Sequence, residues 1–151
     1  MMTMSMAKRI STGKPSTIDH APLVPQLDLS RYGADLGNWP RSWMGWEKDL
    51  PPGEKLVACF RPFIEHLASS SLSRKTIRKH IDNLWILGGE IIRDLNETPS
   101  LRKKNVEHIL SEVIDDEGGP LIHNCYSEEQ QRSFDSTCRK LHRFLSSSGS
   151  T

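Results

Sequence analysis

Arg74, Lys75, Arg78 and Lys79 crowd four cations into six residues, and Arg102-Lys103-Lys104 adds three more downstream. Guanidinium and ammonium groups at helical spacing are suited to holding phosphate oxygens, the contacts that set a protein's register on duplex DNA. Contact through the first four would make binding fall with salt at a slope of about −3.6, since each phosphate contributes about −0.9. The chain as a whole is no polycation, with 20 Lys plus Arg against 19 Asp plus Glu. Electrostatic binding must therefore come from local asymmetry. Residues 70–104 supply it with eight basic and four acidic side chains, whereas residues 105–117 hold five acidic and no basic ones. A solvated helix face also carries such charges, and Arg78 and Asp82 stand at the i,i+4 spacing that pairs them.

Other chemistries find less support. His123-Asn124-Cys125 and Cys138-x-x-x-His142 together offer four N/S ligands, but Cys138 falls on an apolar helical stripe, where a free cysteine packs as a small hydrophobe. No metal site is expected. Asp115-Asp116-Glu117 precedes Gly118-Gly119-Pro120 and reads as a solvated turn, and no phosphate-binding glycine loop or dinucleotide fingerprint occurs. Neither a cofactor nor an enzymatic activity is expected. A further basic stripe, Arg132, Arg139 and Arg143, lies opposite the apolar face of the last helix, where the helix dipole alone would favour cations near the C-terminus.

These side chains need helices to hold them. Around 74–95, Ile77, Ile81, Leu84, Trp85, Gly88, Ile91, Ile92 and Leu95 share about a third of the circumference at 100° per residue, with Ser73 as N-cap. Lys75, Lys79 and Arg93 point away from that stripe, as does Ile86. The paired Gly88-Gly89 is costly in a helix, so the glycines are expected to admit a close neighbour. An earlier helix over 53–68 buries Leu56, Val57, Phe60, Phe63, Ile64 and Leu67, with Pro62 expected to kink it. A third buries Val106, Ile109, Leu110, Val113 and Ile114. The fourth starts at Ser127-Glu128-Glu129-Gln130 and presents Phe134, Cys138, Leu141 and Leu145. No strand alternation appears, so the fold class is all-α, a four- to five-helix bundle.

Four parts are expected along the chain: a flexible tail over 1–37, a Trp- and Pro-rich strap over 38–52, the helical domain over 53–146 and a flexible end over 147–151. Trp39, Trp43 and Trp46 should lie across the bundle, because large rings seldom stay in water unpartnered. Three cysteines without a dense framework point to reduced thiols and a cytoplasmic location. No run of 18 apolar residues occurs, so no membrane partner is expected.

Phe63-Ile64-Glu65-His66-Leu67, a Ser-rich turn and Leu72-Ser73-x-x-Thr76 at the head of a long amphipathic helix resemble the core-binding domain of tyrosine recombinases and phage integrases. The resemblance covers roughly 53–145 and implies a helical bundle forming one half of a clamp on duplex DNA. Two features depart from the family: His80 stands where tyrosine is common, and the connection over 115–126 is long. The catalytic domain and its tyrosine nucleophile have no counterpart here. The resemblance therefore implies a non-catalytic DNA-binding module, an accessory or remnant of a mobile element, with Arg74, Lys75, Arg78, Lys79, Arg102, Lys103 and Lys104 on phosphates. The alternative is a helical protein–protein interaction module that docks a partner through the Trp-rich arm or Ile86. Folding of the two basic clusters onto one surface would favour the DNA reading, and carboxylates interleaved with them would favour the interaction module.

Overall fold

Ser73 starts the longest helix, as its Oγ accepts the Thr76 N–H at 3.1 Å and satisfies a donor the helix cannot. Ser73→Ala should therefore cost about 1 kcal/mol in urea denaturation, with no change in helical circular dichroism. A loss below about 0.3 kcal/mol would mean that water replaces the cap.

The computed structural model describes Tyr32, residues 35–123 and residues 127–149. Within it, five α-helices follow in order: α1 (Trp39–Trp43), α2 (Leu50–Ala68), α3 (Arg74–Glu97), α4 (Val106–Val113) and α5 (Glu128–Gly149). Single 3-10 turns precede α1 (Leu36–Asn38), precede α2 (Glu47–Asp49) and follow α3 (Pro99–Lys103). No strand forms among the described residues, where Asp115 and Gly118 make one isolated bridge. The all-α bundle is thus the observed architecture. No described helix is long and apolar enough to cross a membrane.

The core assembles around α3, whose Ile77, Ile81, Leu84, Leu87, Ile91, Ile92 and Leu95 are all buried. Leu56, Phe60, Phe63 and Ile64 of α2 and Phe134, Cys138 and Leu141 of α5 complete it. Each such side chain removed from water contributes about 1.5–3 kcal/mol against chain entropy. Helix α2 continues through Pro62, whose ring stands on the exposed side. At the far end of α5, Phe144 packs against Phe63, with ring centroids 5.5 Å apart.

The strap predicted for 38–52 is partly helical. Trp39 is buried on α1, and Trp43 lays its indole over α3 where a Cβ on Gly88 would run into the ring. The glycine pair therefore admits a tryptophan, which explains residues that propensity alone disfavours. Two hydrogen bonds cross this seam in opposite senses: Trp43 Nε1 donates to the Trp85 carbonyl, and Trp85 Nε1 donates to Ser42 Oγ, each at 2.9 Å. Trp85, predicted on the buried stripe, is 43% exposed, because Trp43 takes the covered position. Ile86, predicted to face water, is partly buried against the core. Tyr32 and Leu36 are also buried, so the core begins before the predicted tail boundary at 37. Residues 1–31, over which most of that tail was placed, lie outside the described residues.

Between α4 and α5 the chain turns at Gly118. Its φ of 142° favours glycine, and a Cβ there would stand 2.6 Å from Asp135 Cγ. Asp115 Oδ1 accepts the N–H groups of Glu117 and Gly118, so the acidic run forms the expected turn.

Candidate nucleic-acid interface

Helices α3 and α5 run antiparallel, and a buried polar network fixes their register. His80 Nδ1 lies 2.6 Å from Thr137 Oγ1, and Asn83 Nδ2 donates to Thr137 Oγ1 at 2.9 Å and to the Ser133 carbonyl at 3.1 Å. His80, which stands where tyrosine is common in the resembled family, is 2% exposed. Burial, then the nearby charges of Lys79 and Lys140, push its pKa down to about 4. Neutral His80 can accept the Thr137 hydroxyl proton, whose oxygen in turn accepts from Asn83.

This register brings the head of α3 beside the end of α5. Lys75, Arg78 and Lys79 are exposed on the first two turns of α3, together with Arg74. Lys140 and Arg143 of α5 line a groove of about 610 Å³ with Phe63, His66, Leu67, Leu72 and Phe144. The two segments that form this end, 66–81 and 136–149, hold seven Lys or Arg and no Asp or Glu, although Asp116 from the α4–α5 connection reaches His142 Nε2 at 3.4 Å. Asp82 lies one turn further along α3, exposed. The first turn of α3 contains no acidic residue, unlike those of α4 and α5. Cations in a helix's first turn oppose its dipole by about 0.3–1 kcal/mol each, which applies here to Arg74 and Lys75.

The other predicted contacts lie elsewhere. The α3 helix from Lys79 to Glu97 is about 27 Å long, and the turn bearing Arg102 and Lys103 follows its far end. Arg102, Lys103 and Lys104 thus do not share a surface with Lys75 and Lys79. Nor is Arg102 an open contact, because its Nη2 donates to Asp49 Oδ1 at 2.6 Å and to Asn96 Oδ1 at 2.7 Å. Lys104 pairs with Glu112 at 3.2 Å across an exposed gap, and Lys103 is exposed. On α5, Arg132 is exposed and Arg139 donates to the Glu117 carbonyl at 3.3 Å.

Asp49 is the centre of the opposite end. It is fully buried, and besides Arg102 it accepts from the Gly45 and Trp46 N–H groups and from Asn96 Nδ2. Burial by itself would raise its pKa, but Arg102, then Gly45, Asn96 and Trp46, outweigh that and hold the carboxyl below its ordinary value.

Of the weighed metal ligands, Cys125 lies outside the described residues, and His123 Nδ1 stands 2.6 Å from Glu90 Oε1. Burial, followed by the Asp135 charge, pushes the Cys138 thiol up to about 12, so it stays protonated and packs in the core. Lys140 was the main omission from the predicted interface. Its signal was the carboxylate-free end of α5, which becomes informative only once α5 is known to run beside the head of α3. No family model, curated protein or solved structure matches the chain.

Proposed function

We propose that the protein is a non-catalytic module that binds duplex DNA through the basic end of its bundle. The observation that carries the reading is the pairing of two carboxylate-free segments, with Lys75, Arg78, Lys79, Lys140 and Arg143 directed at phosphates. Lys75, in the first turn of α3, stands against the helix dipole, a cost that a bound polyanion would offset. The likeness of the Ser73-x-x-Thr76 helix head to recombinase core-binding domains points the same way. A near-neutral chain with one small basic face should bind weakly and without cutting or joining, at micromolar affinity or poorer in physiological salt.

The test is a salt titration of binding to random duplex DNA by fluorescence anisotropy. Five phosphate contacts give a slope of about −4.5, and charge reversal in Lys75→Glu with Lys79→Glu should reduce it to about −2.7 or less. Both side chains are exposed, so the helical circular dichroism should not change. Lys104→Ala should bind like the wild type. Absence of salt-sensitive binding at low ionic strength, or equal binding by the reversed variant, would favour the helical interaction module instead. That second reading draws on exposed Trp46, Trp85 and Leu121, which are 63%, 43% and 79% exposed.

A further inference from the structure

His80 is buried at the basic end of the bundle, next to Lys79 in sequence and bonded to Thr137, three residues before Lys140. The charges that act on its ring are those of Lys79 and then Lys140, and no carboxylate is among them. The carboxylates nearest along the two helices are engaged elsewhere: Asp82 acts with Arg78, and Asp135 Oδ1 accepts from the Gly119 N–H and from Gln131 Nε2. Of the other histidines at this end, His66 stacks on Phe144 and His142 stands 3.4 Å from Asp116. Both lysines around His80 are among the side chains that the proposed function directs at phosphates.

The polar network around the ring can take up a proton by reversing one hydrogen bond and turning one hydroxyl. With His80 neutral, the Thr137 hydroxyl donates to Nδ1 and its oxygen accepts from Asn83 Nδ2. With His80 charged, Nδ1–H donates to Thr137 Oγ1 instead, and the hydroxyl turns to the Ser133 carbonyl, 3.4 Å away. Thr137 Oγ1 then accepts twice and donates once, the full capacity of a hydroxyl, while Nε2 carries its hydrogen in both states. Burial and the two ammonium charges, rather than a missing partner, are what keep the ring neutral. A phosphate held by Lys79 and Lys140 would place negative charge against both and remove their share of the opposition. The coupling is reciprocal: whatever a bound polyanion contributes to protonation of His80, protonation contributes to binding of the polyanion.

We propose that binding of duplex DNA at this end is coupled to uptake of one proton from solvent by His80, so that affinity rises as pH falls below neutral. The coupling rests on the DNA reading of this face and adds a regulation to it. Anisotropy of duplex DNA binding at constant salt is compared at pH 8, 7 and 5 in the full-length wild type and in His80→Gln, with circular dichroism at each pH to follow the fold. At pH 8 the two proteins should bind equally, because His80 is neutral there with or without DNA. Between pH 7 and pH 5 the wild-type affinity should rise about threefold more than that of the variant, whose remaining rise reports His66 and His142. A second readout needs no variant: in imidazole spectra of the wild type, saturating DNA should move the His80 titration upward from about 4. Equal pH dependence in the two proteins, or a His80 titration unmoved by DNA, would overturn the coupling and leave the DNA reading standing. Absence of salt-sensitive binding at pH 8 would instead remove the DNA reading, and the coupling with it.

Discussion

Replacing Asp49 by alanine is expected to destabilise the protein by about 3–5 kcal/mol in urea denaturation, because it leaves the Arg102 guanidinium without its counter-charge in a largely dry setting. The loss extends beyond the ion pair. The Gly45 and Trp46 N–H groups and Asn96 Nδ2 all lose their acceptor, and these groups join the 3-10 turn before α2 to the end of α3. Asp49→Asn keeps the shape but removes the charge, so it should fall between wild type and alanine. Adding Arg102→Met to Asp49→Ala should recover part of the loss, as a removed pair is cheaper than a broken one. The pH dependence has a definite sign: a carboxyl whose folded pKa is depressed contributes stability above its unfolded value, and that contribution fades as pH falls below the ordinary 3.8. A loss under about 1 kcal/mol in Asp49→Ala would show that water reaches Arg102 and replaces the carboxylate.

Acid should act earlier, and through a different residue. His80 titrates near 4 in the fold against an ordinary 6.5, so the unfolded chain takes up its proton first as pH drops. Stability from neutral His80 is complete above pH 6.5 and declines as pH falls from there towards 4, reaching a loss of about 3 kcal/mol. Denaturation midpoints measured between pH 7 and 4.5 should show this slope in the wild type. In His80→Gln the slope should flatten, since glutamine can bond Thr137 without titrating. Lys140→Met should reduce the effect, because removing that charge lets His80 protonate more readily in the fold. An unaltered slope in His80→Gln would assign the acid sensitivity to other groups.

The apolar half of the fold was legible from spacing. Ile77, Ile81, Leu84, Ile91 and Leu95 recur at helical intervals, and Ser73 marks where their helix starts, so the α3 face needs no knowledge of its neighbours. The buried polar half was not. His80 and Asn83 look like solvent-facing residues until Thr137 and Ser133 arrive from 57 and 50 positions away to bond them. Asp49 and Arg102 are likewise 53 residues apart, and no periodicity links a carboxylate to a guanidinium across that distance. For the same reason the seven predicted phosphate contacts were grouped by type, although a continuous α3 sets them at opposite ends. Trp85 misled because periodicity scores it as apolar, whereas the fold uses its indole N–H and carbonyl at a half-open seam.

That seam also has a history in time. Trp43 bonds a carbonyl 42 residues downstream, and its seat at Gly88 lies further still. At a synthesis rate of about 5–20 residues per second, the indole waits about 2–8 seconds before its partners have been made. During that interval Trp39, Trp43 and Trp46 form a cluster of unseated aromatic surface on the nascent chain, the kind of surface that chaperones engage. Docking of the arm therefore waits for α3 to be made, even though the arm is among the first parts of the core to be translated.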